Sequence, residues 1–180
     1  MAHIELSNQL PGIIGLLTYR PETAKPLNAL AETLLRGDST LSRGERELIA
    51  SHVSSLNDCK FCMNSHSAVA SYWLKKDVRP ELKMGVDGKL LEVSDKMHAL
   101  LKIAGQVQQS GRAVTGEAIA EAKGLAATDL EIHDTVLIAA AFCMYNRYVD
   151  GLGTWCMDKA EEYAPVGELL ATVGYENAIR

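Results

Sequence analysis

The stretch Leu41–Ser71, LSRGERELIASHVSSLNDCKFCMNSHSAVAS, carries two helical signals separated by one polar break. Ser42-Arg43-Gly44-Glu45 has capping-box spacing, in which a hydroxyl and a carboxylate three residues later each satisfy a free backbone N–H. A helix is therefore predicted to start at Arg43 and run to about Leu56. Asn57-Asp58 interrupts it, and Asn57 suits the left-handed residue that ends a helix. A second helix is predicted from about Asp58 to Leu74, with Ala68, Val69, Tyr72 and Trp73 able to face a core. Two helices joined by so short a break fold back on each other as antiparallel neighbours.

This hairpin also concentrates the chemistry. Cys59 and Cys62 form a Cys-x-x-Cys pair, and His66 follows Cys62 at i+4, so Cys62 and His66 fall on one helix face one turn apart. Glu47 lies about as far before the break as His66 lies after it, which brings the two to similar depth once the hairpin closes. A carboxylate there can hold one imidazole nitrogen while the other faces Cys62. The imidazole then takes the thiol proton and the helix N-terminus stabilises the anion. Cys59 is near enough in sequence to close a disulfide with Cys62. The competing reading of the pair is a structural zinc site, but the sequence offers no second Cys-x-x-Cys or histidine pair to complete a tetrahedral shell.

Leu41 to Lys76 resembles the core of the AhpD-like alkylhydroperoxidase group of the carboxymuconolactone decarboxylase superfamily, whose pattern is a Glu, then Cys-x-x-Cys, then x-x-x-His. The resemblance implies an all-α AhpD-like helical bundle with two related helical halves. It assigns Cys62 as the peroxide-attacking cysteine, Cys59 as the resolving cysteine and proton donor, and Glu47 and His66 as the proton relay. The best-studied members carry a further histidine between the two cysteines, where this chain has Phe61. The superfamily also contains a lactone decarboxylase that uses no cysteine pair, and retention of both cysteines argues against that lyase chemistry.

Composition narrows the rest. With 180 residues, 47% of them hydrophobic, the chain suffices for one well-cored domain, expected over 1–180. Net charge is −5, and no stretch clusters Lys and Arg with aromatic residues, so nucleic acid is not an expected partner. The N-terminal stretch lacks a basic start and long apolar run, and the longest apolar run, Val136 to Tyr145, is about half a membrane span. No membrane association is expected. Four cysteines without an export signal point to a reducing, cytoplasmic compartment.

Outside the hairpin, residues 1–20 read as an apolar arm broken by Pro11 and Gly12, packed on the domain or on a neighbouring subunit. Pro21-Glu22 opens a helix with Leu27, Leu30, Leu34 and Leu35 on one face and Gly37 as its stop. Pro80 and Gly85 mark a loop. Ser94 caps a helix that Gly111 closes, and Thr115 starts a short one ending at Gly124. Thr128-Asp129-Leu130-Glu131 repeats the capping box and opens a long helix to about Val149, apolar nearly all round and so read as central. A helical segment is predicted from Trp155 to Tyr163, then, beyond Pro165, a last one from Glu168 to Val173. FCM recurs at Phe61–Met63 and Phe142–Met144, mild support for two helical halves.

His52 and Ser51 flank Glu47 on its helix, and their simpler reading is packing. Cys143 and Cys156 read as small apolar residues. Arg147 and Asp150 are expected to pair at i+3, with Tyr145 or Arg147 bordering a substrate entrance as the functional option. The expected activity is thiol-dependent reduction of a hydroperoxide, with no metal or organic cofactor and an unnamed dithiol or protein electron donor. The resemblance further implies a homo-oligomer, trimeric or hexameric. The non-enzymatic alternative is a redox-sensing or zinc-stabilised scaffold.

Overall fold

The computed structural model describes residues 2–78 and 93–178, and the loop expected at Pro80 and Gly85 lies outside them. Among the described residues the chain forms nine α-helices and no strand: α1 (Gly12–Tyr19), α2 (Pro21–Arg36), α3 (Arg43–Leu56), α4 (Lys60–Leu74), α5 (Asp95–Gln109), α6 (Gly116–Gly124), α7 (Asp129–Gly151), α8 (Ala164–Val173) and α9 (Tyr175–Ala178). Short 3-10 turns occupy Gly111–Ala113 and Ala160–Tyr163. The expected all-α class holds. None of the described helices is long and apolar enough to cross a membrane.

The caps form where the sequence puts them. Ser42 N–H donates to Glu45 Oε2 at 2.8 Å, and Glu45 N–H donates to Ser42 Oγ at 3.3 Å. Thr128 and Glu131 reproduce the exchange at the head of α7, at 2.8 and 3.2 Å. Ser94 and Thr115 cap α5 and α6 with their hydroxyls. Each such cap contributes about 1 kcal/mol by satisfying a backbone donor that water would otherwise have to serve.

The break between α3 and α4 differs from expectation by one residue. Asp58, not Asn57, takes the left-handed conformation, with φ +56°. Asn57 stays at φ −87°, and its amide is used elsewhere: it donates to Asn146 Oδ1 at 2.8 Å and accepts from Gln108 Nε2 at 2.9 Å. The second helix consequently starts at Lys60, with Cys59 at its N-cap rather than in its first turn. The hairpin is then locked by Ser51, whose hydroxyl meets Ser67 Oγ at 2.7 Å and donates to the Met63 carbonyl at 3.1 Å.

Around this hairpin, α3, α5 and α7 bury the main core, including Leu48, Ile49, Val53, Leu100, Ile103 and Ile138, all fully buried. A second, smaller cluster gathers Cys59, Phe61, Cys62, Val149 and Tyr163 at the turn end of α4. Burying such aliphatic and aromatic side chains is the main driving force for the bundle, at about 1.5–3 kcal/mol for each.

The long helix α7 is not buried all round. Leu130, Leu137 and Met144, seven residues apart, are exposed on one face, while Ile138, Phe142 and Tyr145 face inward. The Arg147–Asp150 pair does not form either; Arg147 instead donates to the Cys143 carbonyl one turn back, at 3.0 Å.

Three other boundaries move. Helix α5 stops at Gln109 with Ser110 as its C-cap, before Gly111. Of Trp155–Tyr163 only the last four residues are helical, as a 3-10 turn. Pro165 lies in the first turn of α8, where a missing N–H costs nothing, so that helix starts at Ala164 rather than Glu168. After α8, Gly174 at φ +88° turns the chain into α9, a helix the sequence pattern does not announce. Helix α8 lies directly on α4, where a Cβ at Gly167 would come within 2.6 Å of the Ala68 Cβ. At the N-terminal end, Leu16 and Leu17 of α1 are buried, and Gly12 N–H donates to the Trp155 carbonyl at 2.8 Å.

Candidate active site

Glu47 and His66 meet across the hairpin. His66 Nδ1 lies 2.7 Å from Glu47 Oε2, and Glu47 is 1% exposed. A buried carboxylate persists only when its lone pairs are occupied, and both oxygens here have partners. The second, Oε1, accepts from Tyr175 Oη at 2.6 Å, and the same Oη stands 3.3 Å from His66 Nδ1. Burial, then the Glu47 charge beside it, pushes the Tyr175 phenol well above its ordinary pKa, so it remains a proton donor to that carboxylate.

The imidazole is fixed as a ring as well as at one nitrogen. Phe142 packs against it edge-on, with centroids 4.5 Å apart, and Tyr175 lies nearly parallel, 15° between planes. With Nδ1 engaged by Glu47, Nε2 is the nitrogen left for exchange with a bound molecule.

At the other side of the site the two sulfurs are free thiols, Cys59 fully buried and Cys62 nearly so. A hydrogen bond between Cys59 and Cys62 is the largest reason the Cys59 thiol is pushed up, with burial and the Cys62 charge adding to it. Cys62 is the third residue of α4, where the helix N-terminus favours negative charge.

Among the described residues, no direct hydrogen bond joins His66 to either sulfur. Cys62 and His66 instead share the wall of one cavity of about 340 Å³. Its sides are apolar, from Ile13, Ile14 and Leu17 of α1 and Val166, Leu169 and Leu170 of α8. Phe61 and Phe142, the two phenylalanines of the FCM repeat, both line it. Phe61 also packs edge-on against Tyr163 at 5.8 Å and lies under Gly12, where a Cβ would come within 2.2 Å of its ring. Gly12, at φ +53°, is thus excluded from carrying a side chain both by space and by backbone conformation.

Tyr145 borders the cavity, with its hydroxyl spent on the Leu27 carbonyl at 2.8 Å, whereas Arg147 does not line it. Ser51 is a hairpin lock. His52 is half-buried, its pKa lowered to about 4 chiefly by burial. Cys143 is buried beside the Asn57 amide at 3.7 Å, and Cys156 lies half-buried against the smaller cluster. Sequence reasoning missed Tyr175 because nothing local marks it: it is one tyrosine in a four-residue helix, 128 positions from its carboxylate partner. Among the described residues, no group of three or more His, Cys, Asp and Glu side chains is placed to hold a metal ion.

The architecture is shared with two solved structures. A peroxidase-related protein from Silicibacter sp. TM1040 superposes with a TM-score of 0.75 at 21% identity, over 86% of this chain and 78% of that one. An alkylhydroperoxidase AhpD core, a peroxidase-related protein from Ralstonia eutropha JMP134, superposes with a TM-score of 0.76 at 24% identity, over 88% of this chain and 81% of that one. These likenesses define an all-α fold of the AhpD-core type. Residues 21–71, which include Glu47, Cys59, Cys62 and His66, match the carboxymuconolactone decarboxylase family. Over that stretch the chain is similar to the carboxymuconolactone decarboxylase family, and its fold as a whole is that of the AhpD core. No curated protein matches it.

Proposed function

We propose that this protein is a thiol-dependent peroxidase that reduces hydroperoxides through Cys62 and Cys59, with His66 and Glu47 as its proton relay. The observation that carries the reading is the 2.7 Å Glu47–His66 contact, with His66 and Cys62 lining one cavity and Cys59 beside Cys62 at the head of the same helix. Cys62 loses its proton through a bridging molecule to His66 Nε2. The thiolate attacks the terminal oxygen of the hydroperoxide, and the O–O bond breaks. Cys62 becomes a sulfenic acid and the departing alkoxide takes the proton from His66 as an alcohol, or as water when hydrogen peroxide is the substrate. The Cys59 thiol then condenses with the sulfenic acid, releasing water and forming the disulfide, and an external dithiol donor reduces the pair.

The apolar sides of the cavity favour a hydroperoxide with a hydrocarbon body over hydrogen peroxide. We also propose a cytoplasmic homo-oligomer, trimeric or hexameric; the exposed Leu130, Leu137 and Met144 on one face of α7 support subunit contacts. The zinc-scaffold alternative would need three or more thiolate, imidazole or carboxylate ligands gathered at one point, and the described residues hold no such group.

The experiment is peroxide consumption with a dithiol donor on the wild type, Cys59→Ser, Cys62→Ser and His66→Ala. Cys62→Ser should abolish consumption, Cys59→Ser should stop it after one turnover, and His66→Ala should slow it by about 10²-fold or more. Unchanged turnover in Cys62→Ser would rule the mechanism out.

A further inference from the structure

The cavity wall contains one buried hydroxyl that the fold does not use. Ser65 precedes His66 and follows Cys62 by three residues on α4, is 3% exposed, lines the cavity, and its Oγ has no hydrogen-bond partner among the described residues. Helical serines and threonines without another partner ordinarily bond the carbonyl one turn back. Ser54 does so to Ala50 at 2.9 Å, and Thr135 to Glu131 at 2.7 Å. In the same hairpin Ser51 and Ser67 satisfy each other. Ser65 alone among these buried hydroxyls is left unbonded, which is unfavourable for a polar atom removed from water. The other buried side-chain atom in this state, Arg46 Nε, belongs to a guanidinium that already bonds the Leu34 and Gly37 carbonyls and does not line the cavity.

Position makes the hydroxyl useful. Residues three apart share a helix face, so Ser65 stands one turn from Cys62, and Cys62, Ser65 and His66 all line the same cavity. Resting on the peroxidase reading above, we propose that the Ser65 hydroxyl binds the substrate, donating a hydrogen bond to the peroxide oxygen that leaves as alkoxide. The sulfur lone pair of the Cys62 thiolate forms the S–O bond to the terminal oxygen of R–O–O–H. As the O–O bond breaks, its electron pair departs on the inner oxygen, whose growing charge Ser65 stabilises and which takes the proton from His66. Sulfur is oxidised by two electrons and the peroxide reduced by two, giving Cys62 sulfenic acid and R–OH. An unbonded hydroxyl already desolvated by the fold gives up no water to do this, which is how a preorganised donor stabilises charge that appears only in the transition state.

The test compares wild type, Ser65→Ala and Ser65→Thr by three measurements: single-turnover oxidation of Cys62 by cumene hydroperoxide, alkylation of Cys62 by iodoacetamide, and the thermal midpoint. Loss of one neutral hydrogen bond should slow oxidation by about tenfold in Ser65→Ala. Alkylation, which has no peroxide oxygen to bind, should stay within about twofold, and the midpoint should not fall, because no protein contact is lost. Ser65→Thr, which keeps the hydroxyl, should recover most of the oxidation rate. Oxidation within about twofold of wild type in Ser65→Ala would overturn the proposal while leaving the peroxidase reading intact. Equal slowing of oxidation and alkylation, or a lowered midpoint, would make Ser65 a support of the fold or of the thiolate instead. A wild-type Cys62 that the hydroperoxide does not oxidise would remove the peroxidase reading itself, and this proposal with it.

Discussion

The α3–α4 hairpin and the C-terminal segment from Ala164 to Ala178 both contribute to the candidate site, by different physics. In the hairpin, local rules suffice: a capping box fixes where α3 starts, a break of three residues reverses the chain, and Ser51 pins the two helices. Glu47 and His66 then meet because their distances from the turn match. The C-terminal segment carries no such signal. It is placed by long-range bonds: Arg36 donates to the Leu170 and Ala171 carbonyls at 3.1 and 2.6 Å, and Tyr175 N–H donates to Glu32 Oε2 at 2.7 Å. The hairpin brings Glu47 to His66, on the helix that carries Cys62, and the segment closes the carboxylate off from water with one phenol.

That division of labour can be broken at graded points. Glu47→Gln removes the charge that supports an imidazolium while keeping the shape, and should lower peroxide turnover by about 10²-fold, read from steady-state rates. Tyr175→Phe acts from the other region. It leaves Glu47 Oε1 without its donor, which should cost about 1.5–3 kcal/mol in denaturant unfolding and about tenfold in turnover. If turnover is untouched while stability falls, the C-terminal segment supports the fold alone.

The hairpin also carries a group that couples its stability to pH. His52 has a pKa lowered to about 4, chiefly by burial. The unfolded chain therefore binds the proton first as pH falls through about 6.5, so His52 favours the folded state above that value and this advantage is lost as pH drops towards 4. Unfolding free energy should fall by about 2 kcal/mol between pH 7 and pH 5 on this account, and His52→Gln should lose that part of the slope. The smallest expected effect is at the turn. Asp58 sits at φ +56°, which glycine adopts without strain, so Asp58→Gly should raise stability by about 0.5–1 kcal/mol with no change in turnover.

These particulars also show what was legible before the structure. The hydroxyl caps of α3, α5, α6 and α7 were readable, because each is a contact between residues three apart. The pairing of Glu47 with His66 followed from counting along two helices. Asn57 was misread as the left-handed residue because its amide is engaged by Gln108 and Asn146, which local sequence cannot reveal. Trp155–Tyr163 was misread because helical spacing of apolar residues does not distinguish a helix from a loop anchored by tertiary contacts, such as Tyr163 in the smaller cluster and Trp155 donating to the Gln9 carbonyl. Tyr175 and the free hydroxyl of Ser65 were invisible for the same reason, since each is defined by what lies across space from it.

The most direct measurement is mass spectrometry of Cys59→Ser after one equivalent of cumene hydroperoxide in the presence of a sulfenic-acid trap. With Cys62 as the attacking sulfur, the adduct appears on Cys62 and nowhere else. An adduct on Cys143 or Cys156 with Cys62 unmodified, or no adduct while hydroperoxide is still consumed, would contradict it.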